Sequence, residues 1–192
     1  MPFNWYYFCI FAENYNPLMK IRQLILISLI GLSFMACNLN SVSNYKPEIS
    51  FLKNPTVCDS DTLNIYLTDQ ANVYRLDTIH VGDTIRFKMF INAFTNNINE
   101  YYMNQSADSV SKFILPIKTQ MDSIFSASSN YNVGIFYMKN KANNLFFPFE
   151  YVALKPSLDA KITFNVVSDA NFEYNQNSFV LNTPIVAPKA VP

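Results

Sequence analysis

The sequence predicts a mostly β fold, closed as a sandwich or a barrel, with one short helix set into a connection. Three observations predict it. Between Thr84 and Phe94, Ile85, Phe87, Met89, Ile91 and Ala93 alternate with Arg86, Lys88, Phe90 and Asn92, and a period of two over that length marks a strand with one buried face. Short apolar segments separated by turn residues recur along the rest of the chain, which is the spacing of sandwiches and barrels. One stretch alone carries helical spacing: Val110, Phe113, Ile114, Ile117, Met121, Ile124 and Phe125 recur at three and four.

In chain order, Glu48 to Leu52 and Val73 to His80 read as strands. The second leads through Val81-Gly82-Asp83, where Gly82 allows a tight turn, into the strand from Thr84 to Phe94. Asn96-Asn97 then opens a loop that carries the aromatic pair Tyr101-Tyr102 and Met103. Pro116 falls inside the helical spacing. Proline costs about 3 kcal/mol within a helix and little in its first turn. A strand or turn therefore runs to Leu115 and a short helix from Pro116 to about Phe125. Strands follow at Val133 to Met138, Leu145 to Leu154, Ala160 to Val167 and Ser178 to Asn182. Pro148 within Phe146-Phe147-Pro148-Phe149 implies an edge, and Pro184 stops the closing hairpin. Beyond Cys37 the only glycines are Gly82 and Gly134. Asn96-Asn97, Asn130, Asn140 and Asn143-Asn144 are then the candidates for left-handed turn positions.

The ten residues Thr78-Ile79-His80-Val81-Gly82-Asp83-Thr84-Ile85-Arg86-Phe87 resemble the V-G-D-T entry to an early strand in bacterial immunoglobulin-like domains. That resemblance implies an immunoglobulin-like antiparallel β-sandwich and selects the sandwich over the barrel.

The N-terminal region has a different character. Lys20 and Arg22 precede a 13-residue apolar run, Leu24 to Ala36, and a polar stretch follows Cys37. A basic start, an apolar core and a small residue before the cut are the parts of a secretory signal. The run is also short of the roughly 20 apolar residues that cross a bilayer. Phe34-Met35-Ala36-Cys37 resembles the lipobox of bacterial lipoproteins, with Phe34 where that pattern has an aliphatic residue. The resemblance implies cleavage before Cys37 and diacylation of its sulfur, an anchor strong enough because each buried CH₂ adds about 0.8 kcal/mol. The expected organisation is an upstream extension (1–18) before the true start at Met19, a signal peptide (19–36), a tether (37–46) and a single β-sandwich domain (47–192).

Asp61-Thr62-Leu63, Asp77-Thr78-Ile79, Asp83-Thr84-Ile85, Asp108-Ser109-Val110 and Asp122-Ser123-Ile124 resemble the O-glycosylation signal of Bacteroidota envelope proteins. The implied acceptors are Thr62, Thr78, Thr84, Ser109 and Ser123. The same tripeptides also arise where a turn opens a strand. With the lipobox they point to a Bacteroidota-type envelope lipoprotein of the outer membrane, facing either the periplasm or the cell surface.

Composition restricts the function classes. Of 14 basic and 14 acidic residues, Lys20, Arg22 and Glu13 precede Cys37, which leaves the remainder with a net charge near −1. It has no basic cluster for nucleic acid. Cys58 is the one cysteine after Cys37, so no internal disulfide framework forms. His80, the only histidine, has no nucleophile motif beside it. His80 with Cys58 falls short of a zinc set, and Asp59-Ser60-Asp61 lacks the glycine and closing acid of a calcium loop. No catalytic residue, metal or cofactor is assigned. The expectation is a lipid-anchored binding or assembly module, held to the membrane at Cys37, with Tyr101 and Tyr102 as ligand contacts for a glycan or protein partner. The alternative is a small envelope hydrolase acting on glycans through paired carboxylates, Asp59 with Asp61 or Glu150 with Asp159. It would need Asp59, Asp61, Glu100, Glu150 or His80 to converge in a concavity.

Overall fold

A computed structural model describes residues 45–189 of the chain. The basic and apolar segment, Cys37 and most of the tether lie outside the described residues. The described elements are β1 (Glu48–Phe51), β2 (Thr56–Val57), β3 (Asp61–Thr62), β4 (Ile65–Leu67), β5 (Val73–Leu76), β6 (Ile79–His80), β7 (Thr84–Asn92), β8 (Ile98–Gln105) and β9 (Ser111–Ile114). They continue with α1 (Lys118–Ile124), β10 (Ile135–Tyr137), β11 (Asn144–Ala153), β12 (Lys161–Ser168), β13 (Gln176–Asn182) and β14 (Ile185–Val186).

The fold is a mostly β sandwich. One sheet runs β3-β2-β7-β11-β9, with β1 sharing the β2 edge of β7. The other runs β10-β8-β12-β13-β5-β4, and β14 with β6 forms a small third ladder. The alternation in β7 places Ile85, Phe87, Met89 and Ile91 in the core, and Leu145, Phe147, Phe149 and Tyr151 of β11 stand beside them. Facing them from the second sheet are Tyr101 and Met103, Ile162, Phe164 and Val166, and Phe179 and Leu181. Rings join the layers: Phe149 meets Phe164 at 5.9 Å and Tyr101 meets Phe147 at 5.7 Å between centroids. Pairs of this kind add about 0.5–1.5 kcal/mol beyond the area they bury.

Several expectations are corrected by tertiary contacts. The stretch Val73 to His80 is two strands, because Asp77 accepts from the Asn64 amide at 2.7 Å and returns its own N–H to the Asn64 carbonyl. That clamp turns the chain out of the second sheet, and β6 then pairs in parallel with β14. The β5–β13 pair is also parallel, so the sandwich is mixed rather than wholly antiparallel. Tyr101-Tyr102-Met103 is not in a loop. It is the middle of β8, hydrogen-bonded between β10 and β12.

Pro148 does not lie on an edge strand, since β11 runs between β7 and β9. The carbonyls of Thr84 and Lys88 accept from Cys58 and Leu52, so these β7 positions turn their backbone toward β1 and β2. Opposite Lys88, Pro148 therefore turns its nitrogen away from β7, toward the side where β9 has already ended at Ile114. The missing N–H interrupts no ladder bond. The helix begins at Lys118, two residues past Pro116, and buries Met121. Among the asparagines named above, none adopts a positive φ. Cys58, Asp59, Asn72 and Phe94 do so instead, with Gly82 and Gly134.

Candidate functional site

Strand alternation separates the two tyrosines singled out from sequence. Tyr101 points inward and is fully buried. Its hydroxyl meets only the Met89 sulfur, at 3.4 Å, and burial holds its pKa well above the ordinary value. It is a core residue, with no exposed surface to offer a ligand. Tyr102 points outward, half-buried, onto the open face of the second sheet.

The register assembles a polar and aromatic surface around it. Ile135 and Asn165 stand opposite Tyr102 on either side, and Tyr137 and Val167 stand opposite Glu100. Cross-strand partners project to the same face, so Glu100, Tyr102, Tyr137 and Asn165 share it. The Tyr102 hydroxyl donates to the Glu100 carboxylate. That hydrogen bond, with desolvation and the nearby Tyr137 hydroxyl, raises the Tyr102 pKa. Tyr102 is thus neutral at physiological pH and oriented by its carboxylate. Asn165 Oδ1 is the one buried side-chain polar atom, among the described residues, that lacks a partner. An acceptor left in that state costs about 1–3 kcal/mol.

This face adjoins a cleft of about 480 Å³ whose lining includes Glu100, Tyr137, Ser126, Ser128, Asn99 and Lys139. Around α1 lies a larger cleft of about 710 Å³, lined by Lys118, Asp122, Asn130, Tyr131, Asn132 and Lys139 among others. There Asp122 accepts from Lys118 at 2.6 Å and from the Tyr131 hydroxyl at 3.0 Å. Lys118 is the main reason that the Asp122 pKa is lowered. The Asn130 side-chain amide lies at the rim, while its backbone N–H donates to the Ile135 carbonyl at 2.8 Å. Amides, hydroxyls and tyrosine rings in nearly balanced charge match a neutral, hydroxyl-rich ligand better than a phosphate or a peptide of one charge.

Two of the acidic groups that a hydrolase would need, Asp59 and Glu150, share one cation. Arg86 donates to Glu150 at 2.7 Å and also to Asp59, so a guanidinium lies between those two carboxylates. Both contacts raise the Arg86 pKa, that to Glu150 most. Asp61 and Asp159 are exposed in surface segments. His80 Nδ1 lies 2.8 Å from the Ala187 carbonyl, which assigns the proton to that nitrogen. Cys58 is a free, exposed thiol in the turn between β2 and β3. Among the described residues, no three His, Cys, Asp or Glu side chains group as metal ligands, and no helix is long and apolar enough to cross a membrane.

Thr62, Thr78, Ser109 and Ser123 are exposed and Thr84 is half-buried. Ser123 lies in α1, donating to the Gln120 carbonyl at 2.6 Å, so its tripeptide opens no strand. Cys37 lies outside the described residues. Sequence reasoning missed Tyr137, Glu100 as the partner of Tyr102, and Asn165. Their only local signal is the outward phase of strands whose pairing is long-range. No protein-family model matches the chain, and no curated protein matches it.

Proposed function

We propose that this chain is a lipid-anchored cell-envelope module that binds a partner and turns nothing over, with the outer face of the second sheet as its binding surface. The observation that carries the reading is the Glu100–Tyr102–Tyr137 cluster on that face, beside the cleft that Glu100 and Tyr137 line. Aromatic faces with a carboxylate and amides recognise sugars by stacking and hydrogen bonding, and a glycan is the partner that this chemistry favours. The engagement of Asp59 and Glu150 with Arg86 supports binding over glycan hydrolysis. A lipid on Cys37 holds the domain at the outer membrane, and the signal-like segment before it supports export. The V-G-D-T entry to β7 supports an immunoglobulin-like kinship. The exposed Thr62, Thr78, Ser109 and Ser123 hydroxyls are accessible as glycosylation acceptors.

Two measurements test this. Palmitate labelling of the wild type and Cys37→Ala should show label and membrane retention in the first alone, and label persisting in the variant refutes the anchor. A panel of soluble envelope oligosaccharides, titrated by calorimetry with a parallel assay for new reducing ends, tests the site. Binding weakened about tenfold or more in Tyr102→Ala, equal to ~1.4 kcal/mol, with no new reducing ends, is the expected result. Release of reducing ends by the wild type, or binding that Tyr102→Ala leaves intact, refutes it.

A further inference from the structure

The end of the sandwich where the chain enters from residue 44 is built from three connections that hydrogen-bond to one another. The Ala93 amide donates to the Asn143 carbonyl at 2.7 Å, the Asn143 side chain to the Phe94 carbonyl at 2.8 Å, and the Asn97 amide to Asp169 at 2.6 Å. The entering segment joins them, since the Tyr45 ring lies 5.4 Å from that of Phe94 and the Pro47 carbonyl accepts from Asn177 at 2.8 Å. This end carries the most exposed aromatic side chain among the described residues, Phe172 at 88%, in the turn closed by the Tyr174 amide on the Asn171 carbonyl. Tyr45, whose ring packs on Phe94, is 69% exposed at the same end. Leu67, Leu158 and Ile117 are also well exposed, but the aromatic pair Phe172 and Tyr45 is confined to this end.

We propose that the bilayer itself covers this pair: Phe172 and Tyr45 seat in the boundary between headgroups and acyl chains of the membrane into which the lipid on Cys37 inserts. This rests on the lipid-anchored reading above. Eight residue steps separate Cys37 from Tyr45, a reach of at most about 29 Å when fully extended, so a lipid on Cys37 leaves this end within reach of the bilayer. Aromatic rings favour that boundary, and apolar groups there sink about 5–10 Å below the headgroups. Lys46, Lys139 and Lys141 are offset at this end by Glu48, Asp169 and Glu173. Ring insertion rather than lipid charge therefore drives the docking, and zwitterionic lipid suffices.

The test uses the acylated protein in phosphatidylcholine vesicles containing brominated lipid. All chains carry Trp5→Phe, and a single reporter is placed by Phe172→Trp or, at the opposite end between β11 and β12, by Leu158→Trp. The reporter at 172 should be quenched about twofold or more beyond that at 158, consistent with a depth of about 5–10 Å. Tyr45→Asp combined with the reporter at 172 should abolish much of the difference while the chain still sediments with vesicles. Acylated protein with equal quenching at 172 and 158 overturns the inference and leaves the anchor standing. Protein that carries no acyl group and stays free of vesicles overturns the anchor and the inference with it. Shielding at 172 in native membranes but not in protein-free vesicles assigns this end to a protein partner and also overturns the proposal.

Discussion

Gly134 and Gly82 both adopt positive φ, +69° and +95°, yet alanine at the two positions should have very different consequences. At Gly82 an added Cβ meets nothing within 4 Å. The cost is then the left-handed backbone alone, about 1–2 kcal/mol, reduced by about 0.4–1 kcal/mol because alanine also restricts the unfolded chain. At Gly134 the same Cβ would sit 1.8 Å from the Met103 carbonyl oxygen and 2.9 Å from its carbon. Backbone cannot yield as a side-chain tip does, so β10 must withdraw from β8. The bond from the Met103 amide to the Gly134 carbonyl, 2.9 Å long, is then lost, adding about 0.5–1.5 kcal/mol. The buried rings behind it, Phe136 on Tyr101 at 5.3 Å, loosen with it, and such pairs are worth about 0.5–1.5 kcal/mol. The total for Gly134→Ala is about 3 kcal/mol or more, a large part of the 5–15 kcal/mol typical of a domain. Urea unfolding followed by tyrosine ellipticity gives both values on one scale. Because β10 carries Tyr137, Gly134→Ala should also weaken partner binding, whereas Gly82→Ala should not. Equal midpoints for the two variants would refute the argument that close approach, rather than φ, sets the requirement at Gly134.

Other outcomes follow from the same geometry. The buried Tyr151 hydroxyl lies 3.1 Å from that of Thr183, so Tyr151→Phe and Thr183→Val should each cost about 1–2 kcal/mol by stranding the other group. The double variant should cost less than their sum, and strict additivity in the thermodynamic cycle would disprove the pairing. Tyr101, Tyr102 and Tyr131 have raised pKa values, from burial at Tyr101 and Tyr131 and from Glu100 at Tyr102. Their contribution is intact below the unfolded tyrosine value of about 10 and is lost as pH rises past it. Melting temperature should therefore fall on the alkaline side, and less so in Tyr102→Phe. In acid the direction reverses. Asp77, lowered chiefly by the Asn64 amide, and Asp169, lowered chiefly by the Asn97 side chain, stabilise the fold above about pH 4 and lose that contribution as they protonate. Asn97→Ala, which removes the side-chain donor to Asp169, should flatten that acid limb when stability is followed against pH, whereas Asn64→Ala keeps the backbone N–H on Asp77 and should change it little.

Sequence alone determined the class of fold and most of its long strands, because the signal is local. Side chains of a strand alternate faces whatever the partner, so Ile85, Phe87, Met89 and Ile91 declare a buried face by themselves. The same holds for the closing hairpin of β12 and β13 and for the position of α1 after Pro116. β8 was missed because Ile98-Asn99-Glu100-Tyr101-Tyr102-Met103 breaks strict alternation, and the structure shows why: its register with β12 shifts at Val167/Ser168. Only the tertiary structure decided which tyrosine faces the core, that Glu100 and Tyr137 stand beside Tyr102, and that Arg86 separates Asp59 from Glu150. Each of those depends on hydrogen bonds between strands far apart in sequence. A shift of one residue in any such pairing would exchange the buried and open faces. The candidate site is made of that register and is absent from any single segment of the chain.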